Sequence, residues 1–136
     1  MSLLLSSLQE LNAGLFDPIR VGEIRFDTAQ KLGLKNHGTY LSKISLDHIF
    51  FKHKDVTYYD LQCIPLALAK GLVVQEIQKP HVLLCSYENP VNGKRYICSM
   101  KVITAKTEVW ITSFYRSDIG QTKKLLERGI VIQTHR

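Results

Sequence analysis

Two stretches carry the groups that could do chemistry. Leu46-Asp47-His48-Ile49-Phe50-Phe51-Lys52-His53 holds two imidazoles, with a lysine beside the second. Val109-Trp110-Ile111-Thr112-Ser113-Phe114-Tyr115-Arg116 holds two hydroxyls, a phenol and a guanidinium. These types suit phosphate chemistry that needs no metal, because a ribose 2′-OH can itself attack the neighbouring phosphate. A protein doing this must take one proton, return another to the leaving 5′-oxygen and stabilise charge on the phosphorus. His48 and His53 suit the proton roles, since imidazole titrates near neutral pH. Arg116 offers a planar fork for phosphate oxygens, and Thr112 and Ser113 offer hydroxyl donors to the same oxygens. Lys52, Lys54 and Lys101 would hold flanking phosphates, and Tyr115 could stack an unpaired base.

Each of these residues, taken alone, also has a structural use. Strict alternation puts Val109, Ile111, Ser113 and Tyr115 on one face of a strand and Trp110, Thr112, Phe114 and Arg116 on the other, so Ser113 could be a core-side residue and Arg116 a solvated strand end. On an ideal helix His48 and His53 point about 140° apart. Only one can face a common spot unless the helix ends near Lys52. The wet flank of the helix favours His48, with the Ser113–Arg116 strand as its working partner. His37 lies in a turn beside Gly38 and His81 starts a strand after Pro80. No histidine, cysteine or carboxylate spacing resembles a zinc site, and neither a metal nor a cofactor is expected.

Composition narrows the class. A chain of 136 residues with 45% hydrophobic and 22% charged residues suits one soluble domain that folds without staples. Lys and Arg outnumber Asp and Glu by 18 to 12, a net charge of +6 with a pI near 9.3. That favours a polyanionic partner, although many basic domains bind none. Cys63, Cys85 and Cys98 are odd in number and sit among apolar neighbours, which reads as reduced core thiols in a cytoplasmic protein. The start of the chain is a poor signal peptide, and no apolar run reaches the ~20 residues of a spanning helix, so no membrane role is expected.

The elements that must position these groups follow from periodicity. Leu4, Leu8, Leu11 and Leu15 are spaced as a helix that Gly14 and Pro18 stop; residues 1–20 are expected to form a helix and connection, and residues 21–136 one domain. The helix would pack on that domain or make a homodimer of an otherwise monomeric chain. Short extended pieces fall at Val21–Phe26 and Thr39–Leu41, with a helix at Ala29–Leu32 between them. Ser42 or Ser45 caps a helix over Leu46–His53. Another spans Tyr58–Lys70, broken near Pro65. The period then changes to two: strands at Leu72–Ile77, His81–Tyr87, Arg95–Thr104 and Thr107–Tyr115, with an Asn92-Gly93 turn and a tight Ala105-Lys106 connection. Ser117-Asp118 caps a helix over Ile119–Arg128, and Ile130–Gln133 is a candidate last strand. The expected fold is α+β: N-terminal helices packed on a four- to five-stranded antiparallel meander sheet, covered on one face.

The run Lys31-Leu32-Gly33-Leu34-Lys35, then Thr39-Tyr40-Leu41-Ser42, Leu46-Asp47-His48-Ile49, Lys52-His53 and Thr112-Ser113-Phe114-Tyr115-Arg116 resembles the phage-type branch of the Barnase/EndoU/colicin/RelE-like (BECR) nucleases, over residues 21–134. The resemblance implies a small metal-independent endoribonuclease of the toxin kind, with RNA, transfer RNA included, as substrate and an immunity or antitoxin protein as partner. It puts the helix histidine of that branch on His48, with His53 as the second, and the strand Ser and Arg on Ser113 and Arg116, flanked by Thr112 and Tyr115. Some members use a glutamate base that no residue here matches, Glu108 falling too early on its strand. The competing expectations are a degenerate member that binds RNA or protein without cleaving, and an interaction domain that docks through its leucine-rich first helix.

Overall fold

The computed structural model describes residues 2–103 and 108–136, so the Ala105-Lys106 connection lies outside the described residues. In chain order the elements are α1 (Leu5–Asn12), β1 (Ile19–Glu23), α2 (Phe26–Leu32), β2 (Gly38–Leu41), α3 (Lys43–Lys52), α4 (Tyr58–Leu61), α5 (Ile64–Lys70), β3 (Leu72–Glu76), β4 (Val82–Glu88), β5 (Arg95–Val102), β6 (Val109–Ser117), α6 (Ile119–Arg128) and β7 (Gly129–Gln133). Local chemistry sets many of the boundaries. Gly33 closes α2 in the left-handed region at φ 68°, where a Cβ would be strained. The Ser42 side chain accepts from the Ser45 amide at 3.1 Å and starts α3. Thr57 and Asp60 cap α4 reciprocally, and Pro65 sits in the first turn of α5, where its missing N–H costs nothing.

The strands form one sheet in the order β1-β2-β6-β5-β4-β3-β7. This corrects the expected four- to five-stranded antiparallel meander: the sheet has seven strands and is mixed, because β2 runs parallel to β6 through Thr39↔Val109 and Tyr40↔Trp110. β1 and β2 are five and four residues long, too short to display a period of two. The second partner of β2, β6, is also remote in sequence. A parallel pair needs a long crossover, which no local pattern announces.

The main core lies on one face of the sheet. Leu46 and Ile49 of α3, Leu61 of α4 and Ile64 and Leu68 of α5 pack there with Leu83, Tyr96, Met100, Ile111 and Phe114, all 0–1% exposed. Each such aliphatic side chain contributes about 1.5–3 kcal/mol through burial. Leu8 and Leu11 of α1 are in the same core, whereas Leu4 and Leu15 are exposed. The expected division after residue 20 falls inside β1. The outer face is only partly covered: Leu125 of α6 meets Leu84 and Ile97, and Thr122 and Ser86 share a hydroxyl hydrogen bond of 2.8 Å beneath the helix. Helices therefore lie on both faces, not one.

Candidate functional site

A β-bulge decides which side chains of β6 reach the outer face. Ser99 pairs with Ser113, but Met100 pairs with Ile111, so Thr112 is the extra residue. The bulge breaks the strict alternation expected from the sequence. Ile111 and Phe114 both face the core, and Ser113 and Tyr115 turn to the outer face, where they line a cleft of about 400 Å³. Leu84, Ser99 and Ser113 form one transverse row across β4, β5 and β6. Thr112 donates to the Ser99 hydroxyl at 3.1 Å, which leaves the Ser99 hydrogen free to point elsewhere.

The second wall of the cleft is the end of α3. Past β2 the chain turns into α3, which packs beside β6 with Leu46 and Ile49 inward. His48 and Lys52 then look onto the cleft. The helix ends at Lys52, and His53 is its C-cap with φ −122° and ψ 76°. Leaving the helical path removes the 140° conflict, and His53 lines the cleft with His48. The His53 ring stacks on Tyr115, with centroids 4.9 Å apart and planes at 21°. Burial pushes the imidazole of His53 below its usual 6.5, and the charges of Lys52 and His48 act in the same direction against Asp55. Burial pushes the Tyr115 phenol up, with Arg128 opposing.

The third wall comes from residues that sequence reasoning missed. Glu76, at the end of β3, is buried and forms an ion pair with Arg128, the last residue of α6. Gly129 makes this geometry available. A Cβ there would collide with the Gln75 carbonyl oxygen, so only glycine lets β7 start this close against β3. Lys79, Glu76 and Arg128 line the cleft opposite the histidines, and Ser99 lies on its floor. The only local signal was a carboxylate closing the strand Leu72–Glu76 after the apolar run Leu72–Val74; 52 residues separate it from its partner.

Arg116 is not in this cleft. Beyond the bulge it points to the inner face, where its Nη2 donates to Asp60 at 2.9 Å while its Nε is buried without a partner. Asp60 is 2% exposed and also accepts from the Tyr96 hydroxyl at 2.5 Å and the Thr57 amide at 2.8 Å. Burial raises the Asp60 carboxyl, but the hydrogen bonds from Tyr96, Thr57 and Arg116 outweigh it and hold the group below the usual carboxylate value. The expectation that Arg116 grips a phosphate beside His48 is corrected accordingly: Arg116 lies three residues past Ser113 in unbroken register, so it shares the inner face with Phe114. Thr112 borders the cleft through Ser99. Lys54 is exposed beyond α3, and Lys101 is exposed on β5 two residues from Ser99; neither lines the cleft. Glu108 accepts from the Trp110 indole at 3.2 Å.

A larger cavity, about 560 Å³, lies between Arg25, Phe26, His37, Pro65 and Arg136. There Arg25 is already tied to Asp27 by two hydrogen bonds of 3.1 Å. Among the described residues no group of three or more His, Cys, Asp or Glu side chains could hold a metal ion, and no helix is long and apolar enough to cross a membrane. No protein-family model, no curated protein and no solved structure matches the chain.

Proposed function

We propose that the cleft cleaves RNA without a metal, by attack of a ribose 2′-OH on the adjacent phosphate. The observation that carries this is two imidazoles, one of them biased toward its neutral form, sharing a cleft with a buried carboxylate that holds an exposed guanidinium and with a floor of hydroxyls. His53 takes the 2′-OH proton as the 2′-O–P bond forms; the P–O5′ bond breaks, and His48 returns a proton to O5′. Arg128, oriented by Glu76, and the Ser99 and Ser113 hydroxyls stabilise charge on the phosphoryl oxygens. Lys52 and Lys79 hold flanking phosphates. Membership of the BECR nucleases, with transfer RNA among the substrates, is part of this reading, with Arg128 in the place first given to Arg116. Three buried free thiols suit a reducing cytoplasm.

The pH profile tests the reading. A base works unprotonated, and a depressed pKa moves its acidic limb downward. On a single-stranded oligoribonucleotide, kcat/KM is expected to rise with pH through an acidic limb centred below 6.5. A limb above 6.5, or one that survives His53→Ala, would remove His53 from the base role.

A further inference from the structure

We infer that the sheet row beside the cleft, Tyr40 and Trp110 with Lys101, is a stacking platform for an unpaired nucleobase flanking the scissile phosphate. The inference rests on the RNA-cleavage reading of the cleft.

The sheet register makes the platform continuous with the site. Tyr40, Trp110 and Lys101 occupy one transverse row across β2, β6 and β5. The row beside it contains Ser99 and Ser113 on the cleft floor. Lys101 and Ser99 are two strand residues apart, about 7 Å. The Tyr40 and Trp110 rings sit 5.6 Å apart, tilted by 37°, and both are half-buried. Neither ring belongs to the apolar cluster on either face of the sheet, so core packing does not account for two large aromatics here. The acidic neighbour, Glu108, has its carboxylate on the indole N–H, which fixes the ring edge and leaves the ring faces unengaged by that bond. Exposed Lys101 directly opposite Trp110 supplies the complementary charge for a phosphate.

A flat aromatic pair beside a cation matches a base and its phosphate. A duplex cannot present an isolated base face, so the platform selects single-stranded segments, and stacking makes that selection tolerant of sequence.

Trp110 is the one tryptophan of the chain, so its fluorescence reports the platform in the unaltered protein. The probe is an octamer of deoxythymidylate, which lacks the 2′-OH and cannot be cut. The single strand is expected to quench Trp110 saturably, and an RNA duplex of the same length is not. Trp110→Ala should weaken octamer binding, read by anisotropy, by about tenfold, with Trp110→Phe within a fewfold of the parent. Lys101→Ala, which leaves both aromatics in place, should lower the slope of log K against log salt by about 0.7. Unquenched fluorescence with single strands, or equal quenching by duplex, overturns the platform even if RNA is cleaved. Quenching without RNA cleavage at any pH supports the platform and overturns the nuclease reading instead.

Discussion

His53→Ala is expected to lower kcat/KM for RNA by about 10²–10⁴-fold, the range for losing a positioned proton-transfer group. His53 ends α3 at a half-buried position and contributes one ring stack to the fold, so the protein should keep its melting behaviour while losing activity. The surroundings of His53 discourage its charged form: burial acts first, then the neighbouring positive charges of Lys52 and His48. That suits a base. His48 is exposed and lies one turn back on the same helix, where it can reach the leaving oxygen from the same wall. Steady-state kinetics on a defined oligoribonucleotide measure the effect. A loss below tenfold would shift the base elsewhere, with buried Glu76 the next group in the cleft.

The largest stability effect is expected at Asp60. Asp60→Asn should destabilise the protein by about 3 kcal/mol, the lower end for breaking a buried pair, because the Arg116 side chain is 31% exposed and water recovers part of the loss. The substitution removes a charged acceptor from Arg116 and Tyr96 and weakens the cap of α4. Urea unfolding measures it. The sign with pH follows from the depressed carboxyl of Asp60. Its contribution is full above the unfolded pKa near ~3.9 and is lost as pH falls through the lower folded value. The gap between parent and variant should therefore close in acid. Reduced cleavage with unchanged stability would return Arg116 to the chemistry.

Features set by neighbouring residues were legible in the sequence. The break at Pro65, the caps at Ser42 and Asp118, the glycine stop after α2 and the turn at Asn92-Gly93 all depend on residues within one turn of each other. Pairings between distant segments were not. The parallel β2–β6 contact and the added edge strands depend on which segments meet, and the alternation within a strand is silent on its partner. In the candidate site His48, Lys52, His53, Ser113 and Tyr115 were picked out by type, and the structure brings them to one cleft. Arg116 was misplaced because it was grouped with Ser113 by nearness in sequence, although residues three apart on an alternating strand face opposite sides of the sheet. Glu76 and Arg128 lie 52 residues apart, and no local pattern joins them before folding does.

The most direct test of the account is mass analysis of RNA incubated with the purified protein in EDTA, using single-stranded oligoribonucleotides and transfer RNA. Attack by the 2′-OH leaves a 2′,3′-cyclic phosphate on one fragment and a 5′-hydroxyl on the other, and one 2′-deoxy substitution at the cut site should abolish that cut. Cyclic-phosphate fragments that vanish with His53→Ala are the predicted result; intact RNA across the panel, or fragments bearing 5′-phosphates, would contradict the account.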